Sequence, residues 1–498
     1  MKKIRMLFLI AGVFLLSNEN TLLYADERQI QEEVIYHILI DRYNNGDHSM
    51  DSNVDVNDPY AYHGGDFQGI ITKLDDLQEL GITTLSLSPI MANADKGYHG
   101  YWIEDFYQLE EQFGTMEDFQ LLVKEAHKRG MKVVIEFVTQ FIAPTNPIVQ
   151  DTEKADWVKE QELSGPEWIN NTVQLNLQNE EVQQYLMDVA DFWMAETEID
   201  GFNIHAVDQM PVSFLQKLTE HIKSIHSNFY LIGDILETNE NSQKILDSTG
   251  IQVIENTALN QTMRETFSKE DKEVSAIYNV WEESGNQLPI LYMDDMYSKR
   301  FTQEFSENGR NSLTAWKLAL TYMYTTPGVP MIFQGSEIPM YGEDAVAAQN
   351  LVQFNSGDSD LQEFFHKISS LRSQFRALQY GDFELVDTSN AMSVFRRSYE
   401  GDTLYIAINN SSTSQDITLS GIEPGMQLRG YLEDNLVRAD DNGDYRIGLP
   451  RESVEVFHLQ PDKGLNWGFI SFICGTLLLF IVGVIYLSRK QKKREAEE

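Results

Sequence analysis

The sequence predicts an α/β chain whose main body is a (β/α)8 TIM barrel, followed by an antiparallel β domain and one apolar C-terminal helix. Three observations carry the prediction. Eight β-type apolar runs alternate with helical patterns between about residues 30 and 380. Several runs are apolar nearly throughout, as parallel strands covered on both faces must be. Beyond residue 380 the pattern changes to short alternating strands separated by Gly, Asn and Asp. A doubly wound sheet is the other arrangement that this alternation permits, since closure leaves no local mark.

The first element, residues 1–25, reads as a secretory signal. Lys2, Lys3 and Arg5 precede the apolar run MLFLIAGVFLL, and Leu23-Tyr24-Ala25 offers a small-residue cleavage site. An uncleaved anchor is the alternative, although the run is short for a span. No cysteine follows it, so a bacterial lipid anchor is excluded.

Residues 26–380 hold the eight strand candidates: VIYHILI (34–40), TTLSLSPI (83–90), KVVIEFV (132–138), GFNIHAV (201–207), FYLIGDIL (229–236), IQVIENT (251–257), PILYMDD (289–295) and VPMIFQG (329–335). Residues 69–81 and 119–130 show helical i, i+3/i+4 spacing and end in glycine, and Thr115 with Asp118 forms a capping box before the second. The stretch 141–178 is too long for a plain βα loop and is expected to be an insertion after strand 3. Residues 381–461 carry the β domain, with strands such as MSVFRRSY, DTLYIAINN and SVEVFHLQ.

Residues 466–487 are uncharged and long enough to cross a bilayer, with Trp467 and Tyr486 near the two interfaces. The tail 488–498 opens with a cluster of basic residues, which stay in the cytoplasm. The expected placement is therefore a single-pass cell-membrane protein with its N-terminal part outside and its tail cytoplasmic, on a bacterial surface of the Gram-positive kind.

Charge narrows the function. The 77 acidic residues against 38 basic ones give a net charge of −39, which argues against nucleic acid as a partner because phosphate binding needs a basic face. A single cysteine, Cys474, excludes a disulfide framework and a cysteine-based zinc site. In a barrel, chemistry collects where strands end. The acids there are Glu136, Asp208, Asp234, Asp294, Asp295 and Glu337. Two carboxyl groups with opposed roles are what glycoside hydrolysis requires. For any single one, solvation is the ordinary fate in a chain this acidic.

Segments in this order carry a resemblance: VIYHILIDRYNNGD, GGDFQGIITKLDDLQELGITTLSLSPI, GYHGYWIEDFYQLEEQFGTMEDFQLLVKEAHKRGMKVVIEFV, LNLQNEEVQQYLMDVADFWMAETEIDGFNIHAVD, LIGDILE and PGVPMIFQGSEIPM. Together they resemble the α-amylase family (glycoside hydrolase family 13) over roughly residues 30–460. The resemblance implies a barrel with an insertion after strand 3, a C-terminal β domain and action on α-glucosidic bonds. It also implies an Asp nucleophile after strand 4, a Glu acid/base after strand 5 and an Asp after strand 7.

The departures fall on that machinery. The nucleophile position is His205, the acid/base position is Asp234, and the third carboxylate position is Tyr297. Glu136, Gln140 and Phe141 replace the family's strand-3 Asp and Asn-His. A retaining mechanism needs a carboxylate at the anomeric carbon, which His205 does not supply. Asp295, two residues before Tyr297, could replace it by strand alternation. The retained motif Tyr98-His99-Gly100-Tyr101 implies that Tyr98 and His99 line a sugar subsite, and Asp208 also matches the family. Tyr98, Tyr101 and Trp102 either stack on sugar rings or pack the barrel rim.

The resemblance further implies calcium as a cofactor, held by Asn45, Asp47, Asp51, Gly64 and Asp66, although Met50 stands where the family has an Asn ligand. A solvated acidic loop is the alternative. The resulting expectation is a catalytically inactive, membrane-anchored member, a pseudoenzyme. It would bind an α-glucan or related carbohydrate, or serve as a scaffold for a membrane-protein partner. The competing expectation is an active α-glucan hydrolase or transferase with a rewired site.

Overall fold

The computed structural model describes residues 28–159, 165–237, 240–285, 287–462, 464 and 467–494. The signal expected at 1–25 lies outside the described residues.

Eight parallel strands close into a barrel: β1 (Ile35–Ile38), β2 (Thr84–Leu87), β3 (Lys132–Phe137), β4 (Gly201–Ile204), β5 (Tyr230–Gly233), β6 (Val253–Glu255), β7 (Pro289–Leu291) and β8 (Val329–Phe333). Each pairs with its neighbour in sequence, and β1 closes on β8 through Ile35↔Met331. The predicted runs all contain a strand, but most of them overshoot its C-terminal end. In PILYMDD the strand stops at Leu291 and the acids follow in irregular backbone. The apolar pattern continues because the mouth residues are buried too, not because they stay in the ladder.

Side-chain alternation divides the barrel. Ile35, Val134, Ile232, Val253, Ile290 and Val329 form one buried cluster drawn from six strands, which fills the barrel axis. The alternate residues Leu85, Val133, Ile135, Phe202 and Leu231 belong to the large outer core with helix residues such as Phe119, Leu122, Leu186 and Leu215.

The helix Met116–Lys128 opens on the predicted capping box between Thr115 and Asp118. The helix predicted over 69–81 is instead two, Phe67–Ile71 and Leu74–Glu79. The Thr72 hydroxyl and the Asn44 amide both donate to the Gly69 carbonyl, and the Lys73 N–H turns to Ile70. The regular ladder is diverted at that point.

Between β3 and the helix Glu180–Thr197, a small antiparallel sheet joins Phe141–Ile142, Val173–Leu175 and Val158–Lys159. It sits over the barrel mouth and delivers Trp168 there. C-terminal to the barrel follow β9 (Asp382–Ser389), β10 (Met392–Tyr399), β11 (Asp402–Asn409), β12 (Gln415–Leu419), β13 (Met426–Gly430), β14 (Leu436–Arg438), β15 (Tyr445–Leu449) and β16 (Ser453–Pro461). They make a six-stranded sheet in the order β9-β10-β11-β16-β13-β14 and a β12-β15 pair.

Polar contacts tie the two parts together. Arg310 pairs with Glu452 at 2.9 Å, and the Asn410 amide donates to the carbonyls of Thr266, Lys269 and Lys272. The last helix, Trp467–Arg494, contains Ser471–Lys490, the one segment among the described residues long and apolar enough to cross a membrane.

Candidate active site

The mouth of the barrel brings strand ends together, and the neighbouring strands β3, β4 and β5 contribute Glu136, His205 and Asp234. His205 Nδ1 lies 2.9 Å from Glu136 Oε1 and 2.8 Å from Asp234 Oδ2. The backbone is shaped for this contact. Ala206 adopts a left-handed conformation (φ +54°), which is strained for a residue with a Cβ. Its N–H donates to Asp234 Oδ1, and its carbonyl accepts from Gln140 Nε2 at 3.0 Å. Gln140, a departure from the family pattern, therefore supports the turn that places His205. Burial alone would lower the His205 pKa, but the carboxylates of Asp234 and Glu136 raise it to about 10.

The third family position, Tyr297, joins the same cluster through hydroxyls. Its OH lies 2.6 Å from that of Tyr101, which also donates to Glu136 Oε1 at 2.9 Å. Asp295 reaches the same chamber, although not by strand alternation, since β7 has already ended. Instead Asp295 Oδ1 accepts the Tyr297 N–H at 2.8 Å in a local turn, and Arg264 stands 3.8 Å from its other oxygen.

A chamber of about 180 Å³ lies here, lined by Glu136, Asp234, Glu255, Asp294 and Asp295 among others. Glu255 ends β6 and was missed by sequence reasoning, although the strand-end rule applied to IQVIENT points to it. Burial, followed by the nearby Asp234, Asp295 and Glu136, raises its pKa well above the usual carboxyl value. Glu255 therefore favours its protonated form more than an ordinary carboxyl group does. Two of the strand-end acids do other work. Asp294 accepts from the Phe301 N–H and the Ser336 hydroxyl at 2.6 and 2.7 Å. Glu337 accepts from Tyr36 OH at 2.8 Å and lines a separate cavity with Tyr43 and Lys73.

Above the chamber opens a cleft of about 690 Å³, lined by Tyr60, Tyr98, His99, Tyr101, Trp102 and Trp168 among others. Trp168, from the insertion, stacks on Tyr101 at 4.3 Å and 15°, and its carbonyl accepts from Trp102 Nε1. No sequence signal singled it out beyond being an aromatic in a polar stretch. Tyr98 is held by the Arg42 guanidinium over its ring and by Gln349 at its hydroxyl. His99 Nδ1 accepts the Tyr101 N–H at 3.0 Å, while its Nε2 is buried with no protein partner. Burial, aided by Arg42, lowers its pKa to about 3, so the ring is neutral and Nε2 carries an unmet donor at the cleft wall. Asp208 accepts the backbone N–H groups of Leu236 and Glu237, both at 3.0 Å, and holds the loop after β5.

At the expected calcium loop, Asp66 accepts from the N–H groups of Gly46, Asp47 and Gly69, and Asp47 accepts from that of Ser49. Asn45 Nδ2 donates to Asp51 at 2.9 Å, while Asn45 Oδ1 is buried without a protein partner. Side chains offering oxygen, with one such oxygen unmet, fit a hard cation.

The comparisons agree on the relatives of this chain. It matches the family described as alpha amylase, catalytic domain, over residues 37–168 and 167–377, and the alpha-amylase C-terminal domain over 381–457. An Anoxybacillus α-amylase structure is 39% identical with a TM-score of 0.83, covering 88% of this chain and 100% of that one. The α-amylase of Geobacillus thermoleovorans, solved in complex with acarbose, is 35% identical with a TM-score of 0.82 over 88% and 100% of the two chains. A β/α-amylase of Paenibacillus polymyxa is 28% identical over 86% of this chain, which spans 38% of that relative's length.

These relatives correct one expectation. The inactive binder or scaffold inferred from His205, Asp234 and Tyr297 is overturned, because proteins carrying enzyme names match the chain through both the barrel and the β domain. The altered family positions instead line one chamber together with Glu136, Glu255, Asp294 and Asp295. From barrel to C-terminal sheet, this chain belongs to the α-amylase family.

Proposed function

We propose that this protein hydrolyses or transfers α-glucosidic bonds with a rewired carboxyl set. The observation that carries the reading is the chamber itself, where Glu255 and Asp295 face one another's surroundings directly beneath an aromatic cleft. Glycosidic cleavage needs a proton donor and an ionised carboxylate in distinct environments. Glu255, whose burial and acidic neighbours favour the protonated form, serves as the donor to the leaving oxygen. Asp295, with Arg264 as its counter-charge, serves as the carboxylate facing the sugar. Tyr98, Trp102 and Trp168 line the cleft for sugar rings, Tyr101 being packed between His99 and Trp168, and His99 Nε2 offers a donor to a hydroxyl.

The test is cleavage of labelled malto-oligosaccharides by the full-length protein in detergent. Turnover is expected, with kcat/KM falling by roughly 10²–10⁴-fold in Glu255→Gln and in Asp295→Asn. A folded protein that leaves the oligosaccharides intact, or variants that cleave as well as the parent, would sink the reading.

The apolar helix supports a membrane anchor for the domains spanning 26–380 and 381–461. Its apolar segment has a mean hydropathy of 2.3 and no residues packed inside the fold. The basic residues after it support a cytoplasmic tail and an outward-facing enzyme. The oxygen-rich loop supports bound calcium at Asn45, Asp47, Asp51, Gly64 and Asp66, which would brace the turn that carries Asp41 and Arg42 behind Tyr98.

A further inference from the structure

Glu136, His205 and Asp234 close one wall of the chamber from three adjacent strand ends. One ligand atom from each lies within 4.8 Å of the other two. Among the described residues this is the one group of three or more His, Cys, Asp and Glu side chains so placed. The ring nitrogen facing inward, Nδ1, touches two carboxylate oxygens at once. Such an arrangement demands a cation between them, since a bare lone pair would oppose both oxygens. A proton on Nδ1, shared between the two oxygens as a three-centre hydrogen bond, is one such cation. A divalent ion can be shared by all three groups.

Further features suit an ion. Asn203, on β4 and paired in register with Glu136, lines the same chamber, and its Oδ1 is buried with no protein partner. His205 Nε2 is likewise buried and unpartnered, so the tautomer with hydrogen on Nε2 leaves Nδ1 free to bind an ion. The ligands are oriented from behind. Tyr101 OH donates to Glu136, the Ala206 N–H donates to Asp234, and the rings of Tyr101 and Trp168 flank the imidazole at 4.8 and 5.6 Å. The chamber leaves room for a water or a substrate oxygen at an open position.

We infer that Glu136, His205 and Asp234 form a binding site for a divalent transition-metal ion of the Zn²⁺ class, with Asn203 Oδ1 as an added oxygen donor. Mixed imidazole and carboxylate donors without sulfur favour Zn²⁺, Co²⁺ or Mn²⁺. At about 2.0–2.2 Å per bond, ligand atoms at right angles on one ion lie about 3 Å apart, close to the 2.8 and 2.9 Å between His205 Nδ1 and the two carboxylate oxygens. The inference does not depend on the roles of Glu255 and Asp295, because it concerns binding and not turnover.

The experiment is equilibrium dialysis of the full-length protein in detergent against Zn²⁺, with Co²⁺ absorption as the second readout. One ion per chain is expected, with visible Co²⁺ bands. Affinity should fall at least tenfold in both His205→Ala and the isosteric Glu136→Gln, and should be unchanged in Asp51→Asn. Absence of stoichiometric binding would show that a proton alone occupies the cluster and would overturn the site. Binding that survives both cluster variants, or that is lost only in Asp51→Asn, would overturn it too. Should His205→Ala fail to fold, Glu136→Gln together with the Co²⁺ spectrum decides.

Discussion

At the scale of the residue, environment sets chemistry more than identity does. His99 and His205 are both buried in the same mouth, yet their pKa values are shifted in opposite directions. His99 faces a guanidinium and no acid, so burial wins and it stays neutral. His205 faces two carboxylates, which overcome burial. The His99 shift has a thermodynamic consequence with a definite sign. A folded pKa near 3 against 6.5 unfolded means that its contribution is complete above about pH 6.5 and is lost as pH falls toward 3. Between pH 6.5 and 5 the loss is about 2 kcal/mol for this one group. Thermal unfolding at pH 7 and pH 5 should show a larger drop in Tm for the parent than for His99→Gln. Equal drops would mean that His99 is not held neutral.

At the scale of the element, the strand ends and their loops divide the labour. Glu136 projects from within β3, while β4, β5 and β7 stop short of the predicted runs, which releases His205, Asp234 and Asp295 into turns that bring them to the same chamber. The loop between β1 and the helix Phe67–Ile71 is organised differently. There Asp66 gathers three backbone N–H groups and Asn45 keeps a buried oxygen unmet. Calcium at this loop should raise Tm in proportion to ln[Ca²⁺], since a ligand that binds only the folded state stabilises it by mass action. Asp51→Asn should reduce that rise, and a Tm indifferent to calcium and to chelator in both proteins would remove the ion from this loop.

At the scale of the whole molecule, an acidic enzyme-like body is coupled to an apolar helix that the body leaves exposed. In Ser471–Lys490, Leu477, Leu479 and Phe480 are open, an arrangement that water disfavours and a bilayer accepts. The full-length protein should sediment with membranes and resist extraction by high salt and alkaline carbonate. A chain ended at Asp462 should stay in the soluble fraction. Salt-released full-length protein would mean that the helix does not span.

Much of this was legible in the sequence, because it depends on local pattern. Alternating apolar runs marked the eight strands, the Thr115–Asp118 pair marked a helix start, and the uncharged run after Pro461 marked the long apolar helix. Each is a short-range consequence of backbone periodicity and burial. The family motifs likewise marked His205, Asp234 and Tyr297 as the altered positions.

Only the tertiary structure decided what those alterations amount to. Glu255 and Trp168 lie on β6 and on the insertion; a strand-end position hints at the first, and no local signal marks the second. Their meaning comes from barrel closure, which sets β6 acids against β7 acids and lowers the insertion onto Tyr101. The break at Thr72 depended on Asn44, nearly thirty residues earlier, reaching the Gly69 carbonyl. The left-handed Ala206 depended on Gln140 and Asp234, from the turns that follow β3 and β5. Sequence periodicity reports which face of an element is buried. The distances among side chains from eight separate strands exist only once the barrel has closed.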